Sequence, residues 1–486
     1  MTTHPADPAV RGGPSGQAGR PGLALLVLAG AIALDVSALA VLNAALPDIR
    51  SDFHISSAIL QWAMTAYAVT FAGFLLFGGR AADVLGRRLV FTAGVVLFSV
   101  AALGGVLAPN ITVLVIARAV QGLGAALSGP AALALLTEVF PEGPQRNKAI
   151  AVYGSVGAAS FSGGLIVGGA LTEFLGWRAV FAFSTILGVG VLAAIRAGLP
   201  PSVRVNRPLD LPGAAMVTVG LVLTVFGVGR GGDTGWGDPG TVASLVAAVV
   251  LLVAFVLWER RLAEPLLPVG IFRVPTVQAA TLAAFLHYAA VIALLFFAPL
   301  YMQGVLGYSP FQSGLAMVPM GLTVIVSSTI TGRTMARVGQ RPFLVYGMPL
   351  IGLGVLMWFW TPVDGSYWLN LLPGIIVMSI GQGTTFPALT AAALTGVPQR
   401  QHGIAGAVNV TTQQVGSSIG VAALVAVAAA VAGSDSGAEA QLAGFHAAYV
   451  VAAVTTFVGT AFIALALSRR PKTRPAPQGD ADPLAV

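Results

Sequence analysis

A single carboxyl group stands in the middle of an apolar stretch near the start of the chain. Residues 22–46 carry only three polar side chains, Asp35, Ser37 and Asn43. The stretch is long enough to cross a bilayer as a helix, where an ionised acid is costly to insert. A medium of low dielectric favours the neutral form of a carboxyl group. We therefore predict that Asp35 takes up and releases a proton and exchanges it for a substrate, particularly a cationic one.

Two other ionisable side chains lie inside apolar stretches. Arg118 keeps its proton in practice and needs acceptors, for which Asp35, backbone carbonyls and the fifth apolar stretch are candidates. Gln121 lies about one helical turn further on, on the same face. His287 titrates in a useful pH range, which makes it a candidate for binding a proton or substrate, although a lone histidine in such a stretch is more often a packing residue.

The composition predicts that helices crossing a membrane position these residues. Hydrophobic residues make up 56% of the chain and charged residues 9%, whereas a soluble domain has about 25% charged residues. We expect an all-α integral membrane protein with these spans: 22–46, 58–79, 89–108, 112–137, 149–172, 178–198, 212–230, 240–258, 276–302, 312–334, 342–360, 368–392, 404–432 and 445–468.

The distribution of basic residues predicts the orientation. With the N-terminus inside, the outer loops hold only Arg50, Arg178 and Arg230, while most of the 25 lysines and arginines face the cytoplasm. This asymmetry places both termini in the cytoplasm. The net charge of +7 then faces anionic lipid headgroups, so a nucleic-acid partner is not needed to explain it.

An internal repeat predicts two related halves. The sequence GRAADVLGRR begins at Gly79 and GRTMARVGQR begins at Gly332, and the same offset places Asp35 on Tyr288. Two related halves around a central site are typical of transporters. We expect disordered tails at 1–21 and 469–486, six-span halves at 22–198 and 274–468, and a linker with an inserted pair of spans at 199–273. The inserted pair is expected to lie outside the central path.

The chain resembles the major facilitator superfamily, in particular its fourteen-helix drug:proton antiporter family. The loop at 79–88 fits the family pattern G-x-x-x-D-x-x-G-R-[RK], and LVIARAVQGLGAA fits its fourth helix around Arg118. Further matching pieces are GWRAVF, DLPGA at 210–214, ERRLAEPLLPVGIF at 259–272, YMQGVLGYSPFQSGL at 301–315 and GIAGAVNVTTQQVGSSIGVA at 403–422.

The resemblance implies a major facilitator fold in a bacterial cytoplasmic membrane, with roles for particular residues. Asp35 and Arg118 would couple transport to protons. Asp83 would meet the start of a helix in the other half, near Gly403, and Arg87 would pair across the same seam. The members of this cytoplasmic gate are Asp83, Gly86, Arg87 and Arg88; ordinary loop charge is the alternative for them.

Three positions depart from the family pattern. The acid of the first span usually stands nine residues before the proline of ALP, where this chain has Ala38, and Asp35 lies about one turn away. Leu165 replaces the proline of the antiporter motif in GLIVGG, and Val84 stands where a basic residue is common. The leucine weakens the assignment of the chain as an antiporter. It does not affect the assignment of the chain as a transporter.

Polar and aromatic side chains inside spans are candidates for a substrate cavity, because polar groups are costly in lipid and should face inward. Aromatic rings suit flat, greasy cations, although each ring alone could equally face lipid or pack. The candidates are Asn43, Trp62, Tyr67, Gln121, Tyr153, Tyr288, Gln382, Asn409 and Gln413.

The favoured function is export of bulky amphipathic drugs or antibiotics, cationic or neutral, in exchange for protons by alternating access. A lipid flippase or lipid exporter on the same fold is the alternative. The chain has no P-loop motif and only two lysines, which excludes an ATP-driven pump. It has no cysteine and five scattered histidines, so we expect no enzyme, metal or cofactor. We expect a monomer whose partners are protons, small amphipathic substrates and the lipid bilayer.

Overall fold

The computed structural model describes residues 21–140, 144–200, 210–262, 265–267, 269–397, 402–433 and 437–468. The tail predicted at 469–486 lies outside these ranges, as does the tail at 1–21 except for Pro21. Within them all regular structure is helical, and fourteen helical segments are long and apolar enough to cross a membrane. The predicted fold class and number of spans are confirmed.

The first eight helices each correspond to one span. They are α1 Pro21–Phe53, α2 Ser57–Leu85, α3 Arg87–Val106, α4 Ile111–Val139, α5 Pro144–Leu175, α6 Arg178–Gly198, α7 Leu211–Thr234 and α8 Pro239–Glu259. Polar side chains define several starts. Asn110 accepts a hydrogen bond from the Val113 amide at 3.0 Å, and Asp238 accepts one from the Thr241 amide at 3.0 Å. Such caps satisfy amides that have no partner within the helix.

The remaining six spans contain seven α-helices. These are α9 Pro275–Gly304, α10 Pro310–Ala316, α11 Val318–Val338, α12 Arg341–Met357, α13 Leu372–Leu394, α14 His402–Ala432 and α15 Ala438–Ser468. The span predicted at 312–334 is divided at Met317 into α10 and α11. Pro319 follows the break and lacks the amide that a continuous helix would use. The span that contains α13 begins with a π-helical turn, Tyr367–Leu371.

Two sets of six spans surround the centre of the molecule. In the first set, α1 packs against α5 and α6, α2 against α4, and α3 against α4 and α6. In the second set, α9 packs against α14 and α15, and α13 against α11 and α12. Contacts between the sets join α2 to α14, α5 to α10 and α11, and α1 to α9. The helices at these seams therefore line the space between the sets.

Glycines allow the closest of these helix contacts. A Cβ on Gly168 of α5 would lie 2.4 Å from the Val41 carbonyl oxygen of α1. A Cβ on Gly420 of α14 would lie 2.6 Å from the Ala289 carbonyl oxygen of α9. Small residues let helix backbones approach in this way, so α1–α5 and α9–α14 form equivalent close pairs in the two sets.

The inserted pair, α7 and α8, lies beside the seam between α2 and α14. Helix α7 packs against both of those helices, and α8 packs against α7. Val69 of α2, Leu221 and Val225 of α7 and Ala422 of α14 form one buried apolar cluster. Among the described residues, none from α7 or α8 lines the central cavity, which agrees with the prediction that this pair lies outside the central path.

Candidate substrate and proton sites

A cavity of about 500 Å³ lies between the two sets of spans. Its walls come from α1, α2 and α5 of the first set and from α9, α11, α13 and α14 of the second. Most of the lining is aliphatic or aromatic, and the described lining residues include no charged side chain. The polar lining residues are Asn43, Thr65, Tyr288, Gln382, Gln414, Ser417 and Ser418. Such a site fits a bulky apolar molecule with a few hydrogen-bonding groups.

Three of the predicted cavity residues line this space: Asn43, Tyr288 and Gln382. The Asn43 amide nitrogen donates to the Leu39 carbonyl oxygen at 3.0 Å, whereas its Oδ1 is buried and has no partner among the described residues. Gln382 likewise has a buried Oε1 without a protein partner. Since Asn43 belongs to α1 and Gln382 to α13, each set of spans presents one unsatisfied amide oxygen beside the cavity.

Arg118 lies buried between α4 and α2, where it is 1% exposed. Its Nε donates to the Ala63 carbonyl oxygen at 2.8 Å, and one terminal nitrogen donates to Gln121 Oε1 at 3.0 Å. The guanidinium carbon lies 4.6 Å from the centre of the Tyr67 ring, in cation–π geometry. Of the predicted acceptors, the backbone carbonyl is the one that the structure provides. The other terminal nitrogen, NH2, is buried without a protein partner.

Asp35 lies on α1 beside the cavity lining. Ile32, Val36 and Leu39 of the same helix line the cavity, and Asp35 is displaced from that stripe. Its carboxyl interacts electrostatically with Tyr67 of α2 and Tyr153 of α5. Its Oδ1 is buried, and in the described part of the chain it has neither a hydrogen-bond partner nor a cation that forms an ion pair with it. Tyr67 therefore interacts with both Asp35 and Arg118.

His287 lies outside the cavity wall. It is fully buried, neither ring nitrogen has a partner in the described ranges, and its ring centre lies 4.9 Å from that of Tyr288. Tyr288 faces the cavity while His287, the next residue along α9, does not line it. His287 is thus packed away from the cavity, and its binding of a proton or substrate stays a prediction.

The other six predicted cavity residues do not line the cavity: Trp62, Tyr67, Gln121, Tyr153, Asn409 and Gln413. The Trp62 ring packs towards α7, with its centre 6.3 Å from that of Phe226. Asn409 and Gln413 are buried on α14, at 3% and 6% exposure, and do not line the cavity. Their neighbours Gln414, Ser417 and Ser418 do so instead.

The segment predicted as a cytoplasmic gate forms the turn between α2 and α3. Gly86 has a φ of 104°, a conformation that favours glycine. An Arg87 nitrogen lies 3.6 Å from Asp83, and another lies 3.1 Å from Glu138 of α4. Arg87 thus pairs within the first set of spans, not across the seam as expected. Arg88, which follows it in the first turn of α3, is half-buried, and its carbonyl oxygen accepts a hydrogen bond from Thr92 at 2.7 Å.

The opposite end of the bundle, called here the Gln303 end, holds direct hydrogen bonds between the two sets. Gln303 at the end of α9 donates to the Ala44 carbonyl oxygen of α1 at 3.0 Å. Glu173 near the end of α5 accepts a hydrogen bond from the Phe311 amide of α10 at 3.0 Å. These contacts hold the two sets together beyond the cavity.

Comparison with known proteins assigns this arrangement to a family. The model of the Major Facilitator Superfamily matches residues 27–421. The chain belongs to the major facilitator superfamily. Its fourteen candidate spans fit the fourteen-helix drug:proton antiporter branch of that superfamily.

Curated relatives within the superfamily are antibiotic resistance and export proteins. Puromycin resistance protein pur8 of Streptomyces alboniger is 38% identical over 79% of this chain and 77% of its own length. Cephamycin export protein CmcT of Amycolatopsis lactamdurans is 36% identical over 88% and 87%, respectively. The tetracenomycin C resistance and export protein of Streptomyces glaucescens is 32% identical over 88% and 80%. The chain is accordingly a multi-pass transporter of a bacterial cytoplasmic membrane and not an enzyme.

Solved structures agree on the major facilitator fold. The human organic anion transporter MFSD10 (TETRAN) superposes with a TM-score of 0.62 at 18% identity, covering 91% of this chain and 99% of the other. A peptide transporter POT in complex with sulfate superposes with a TM-score of 0.65 at 16% identity, covering 91% and 94%. At these identities the likeness concerns the fold alone.

Sequence reasoning missed several polar residues of the cavity in this transporter. Thr65 is a small polar residue in a long span, and nothing in its type distinguishes it from the many others. Gln414 had a signal, because it stands next to the selected Gln413 in TTQQ. Adjacent residues on a helix point about 100° apart, and only the packing of α14 against α9 decides which one faces the cavity.

Proposed function

We propose that this transporter exports bulky amphipathic compounds, cationic or neutral, in exchange for protons. The observation that supports this most strongly is the position of Asp35 beside a large apolar cavity between the two sets of spans; one oxygen of its carboxyl is buried and has no hydrogen-bond partner among the described residues. The ionised form of an acid is energetically unfavourable in that environment. Binding of a proton or of a substrate cation would neutralise its charge.

The cavity favours substrates with a large apolar body. Its lining is apolar apart from a few amides, hydroxyls and one tyrosine. Because the described lining contains no charged group, binding there rests on apolar contacts with a few hydrogen bonds. Unsatisfied oxygens of Asn43 and Gln382 favour a substrate that carries hydrogen-bond donors. The relatives named for puromycin, cephamycin and tetracenomycin C support antibiotics as the substrate class.

The proton site and the substrate site are proposed to be neighbours without being the same. Asp35 is displaced from the stripe of α1 that lines the cavity, and Tyr153 and Tyr67 interact with its carboxyl. Protonation would change the charge behind the wall of the cavity. A cationic substrate would be attracted by the ionised acid at short range in a low dielectric, and protonation would release it.

Arg118 is proposed to hold α2 in the position from which Tyr67 faces Asp35. Its guanidinium joins the Ala63 carbonyl, Gln121 and the face of the Tyr67 ring. The arginine keeps its positive charge, and the tyrosine that it contacts also interacts with the Asp35 carboxyl. The coupling would therefore run through an acid, a tyrosine and an arginine on three different helices.

The hydrogen bonds at the Gln303 end favour one state of alternating access. With both termini in the cytoplasm, as the basic residues predict, this end faces the outside. The contacts of Gln303 and Glu173 would then close the cavity to the exterior, and substrate would enter from the cytoplasm or the inner leaflet. Export requires that these contacts break when the two sets rock.

Transport by reconstituted protein tests the proposal. Proteoliposomes with an imposed pH gradient would receive puromycin, a cationic dye or a fluorescent phospholipid as separate substrates. We expect puromycin or dye movement that depends on the gradient and stops with a protonophore. Movement of the phospholipid alone would support the flippase alternative, and puromycin movement without dependence on the gradient would contradict proton exchange.

A further inference from the structure

Two motif pieces that lie outside the cavity meet at one end of the inserted pair. DLPGA begins with Asp210, immediately before α7, and ERRLAEPLLPVGIF begins with Glu259, the last residue of α8. The antiparallel packing of α7 and α8 brings Asp210 and Glu259 together. Trp258, the neighbour of Glu259, bonds to Asp210 although the two positions are 48 residues apart in the chain. Neither residue belongs to the cavity or to the Asp35 group.

Each carboxyl uses one oxygen for hydrogen bonds from neighbouring groups. Asp210 Oδ1 accepts from the Gly213 amide at 2.9 Å and from the Trp258 indole at 2.9 Å. Glu259 Oε2 accepts from the Leu267 amide at 2.9 Å. These bonds fix both side chains and tie the start of α7, the end of α8 and the segment that precedes α9 to one another.

The other oxygen of each carboxyl is buried and has no donor among the residues that the structure describes. These oxygens, Asp210 Oδ2 and Glu259 Oε1, converge over Gly213, where a Cβ would lie 2.0 Å from the first and 2.8 Å from the second. The two carboxyl groups therefore face the same small space and interact electrostatically with each other. Glu259 is 2% exposed, so water cannot readily separate them.

No positive charge from the described residues compensates this pair. Arg260 and Arg261 follow Glu259 but are exposed, and Arg230 at the far end of α7 pairs with Asp238. The described segment 265–267 carries no charged residue, and Arg273 further on is exposed. No group of three potential metal ligands exists in the described part of the chain. Two carboxylates in such contact cannot both be ionised without a large repulsion.

We propose that Asp210 and Glu259 bind one proton between them, forming a second protonation site separate from Asp35. The proton completes a carboxyl–carboxylate hydrogen bond between Oδ2 and Oε1. It thereby holds the α7–α8 hairpin to the segment that leads into α9. Loss of the proton would leave two negative charges in contact and loosen this junction. Because α7 packs against both α2 and α14, the junction would transmit pH to the seam between the two sets of spans.

Infrared difference spectroscopy of the full-length protein in lipid nanodiscs tests this inference. The spectrum of wild type minus Glu259→Gln at neutral pH should contain the carbonyl band of one protonated carboxylic acid. Asp210→Asn should remove the same band. Asp364→Asn changes an acid in a connecting loop and is the matched control, for which we expect no acid band. Difference spectra without an acid band for both site variants would overturn the proposal.

The glutamine variant should fold, because its amide can donate to Asp210 Oδ2 and still accept from Leu267. Hydrogen–deuterium exchange of wild-type protein provides a readout independent of any variant. The amides of Gly213 and Leu267, which bond to the two carboxyls, should lose protection beyond the intrinsic pH effect as the pH rises. In Glu259→Gln this additional loss should disappear. Carboxylate bands that shift with added Na⁺, Mg²⁺ or Ca²⁺ in wild type only would instead indicate a cation site and contradict a shared proton.

Discussion

The Glu173 carboxylate near the end of α5 accepts a hydrogen bond from the Phe311 backbone amide at the start of α10, at 3.0 Å. The Ser309 hydroxyl donates to the same carboxylate oxygen. The acid therefore satisfies one free amide at the beginning of a helix that belongs to the other set of spans. Glu173 joins the two sets at the end of the bundle where Gln303 also bonds to Ala44.

Replacement of Glu173 by alanine is expected to weaken closure at the Gln303 end. Hydrogen bonds to a charged group are worth about 1.5–3 kcal/mol, and exposure reduces this to about 1 kcal/mol, or roughly fivefold in population. Spin labels at Leu175→Cys and Leu315→Cys, both exposed, would report the distance between α5 and α10. We expect more of the longer distance in the alanine variant.

The chain suits this measurement because it contains no native cysteine. Glu439→Ala, which changes an exposed acid at the start of α15, is the control and should leave the distances unchanged. Identical distance distributions for Glu173→Ala and wild type would show that the acid does not hold this end closed.

Glycine at position 168 is expected to be required for the contact between α5 and α1. A Cβ there would lie 2.4 Å from the Val41 carbonyl oxygen and 2.7 Å from its Cα, so Gly168→Ala must push the two helices apart. Overpacking of this kind costs about 1–3 kcal/mol. Thermal unfolding in detergent should show a lower midpoint. Gly163→Ala on the same helix meets nothing within 4 Å and should not lower it; equal losses in both variants would contradict the packing account.

The ring of Tyr67, not its hydroxyl, is expected to hold Arg118 in place. Tyr67→Phe keeps a π face at the observed 4.6 Å, whereas Tyr67→Leu removes it and loses about 1–2 kcal/mol. Unfolding of the two variants in parallel measures this difference. If Tyr67→Phe and Tyr67→Leu lower the free energy of unfolding equally, the cation–π contact contributes nothing measurable to the position of Arg118.

The spans and the broad class were predictable because apolar length and charge depletion act over whole segments. The fourteen spans follow from that rule without any knowledge of packing. The interruption at Met317 has a local signal in Pro319, yet a proline inside a span also fits a continuous kinked helix, as Pro299 does in α9. Only the contact of α10 with α5 distinguishes the two cases.

The candidate site was predictable in its rare residues and less so in its common ones. Asp35 and Arg118 stand out because charge in a span is costly; Arg118 is buried, and Asp35 is half-buried with one buried oxygen. The partner of Arg87 was not predictable, because Glu138 lies 51 residues away and meets it only after α3 and α4 pack. Likewise, the rotation of α14 decides that Gln414 and not Gln413 lines the cavity.

Gradient-driven transport by Asp35→Asn tests the central claim most directly. Asparagine keeps the shape of the side chain and cannot exchange a proton. In proteoliposomes with an imposed pH gradient, we expect substrate accumulation by this variant to fall to the level of empty liposomes, while substrate exchange without a gradient continues. Asp364→Asn should behave as wild type in both assays. Accumulation by Asp35→Asn at the wild-type rate would contradict the assignment of Asp35 as the proton-coupling residue.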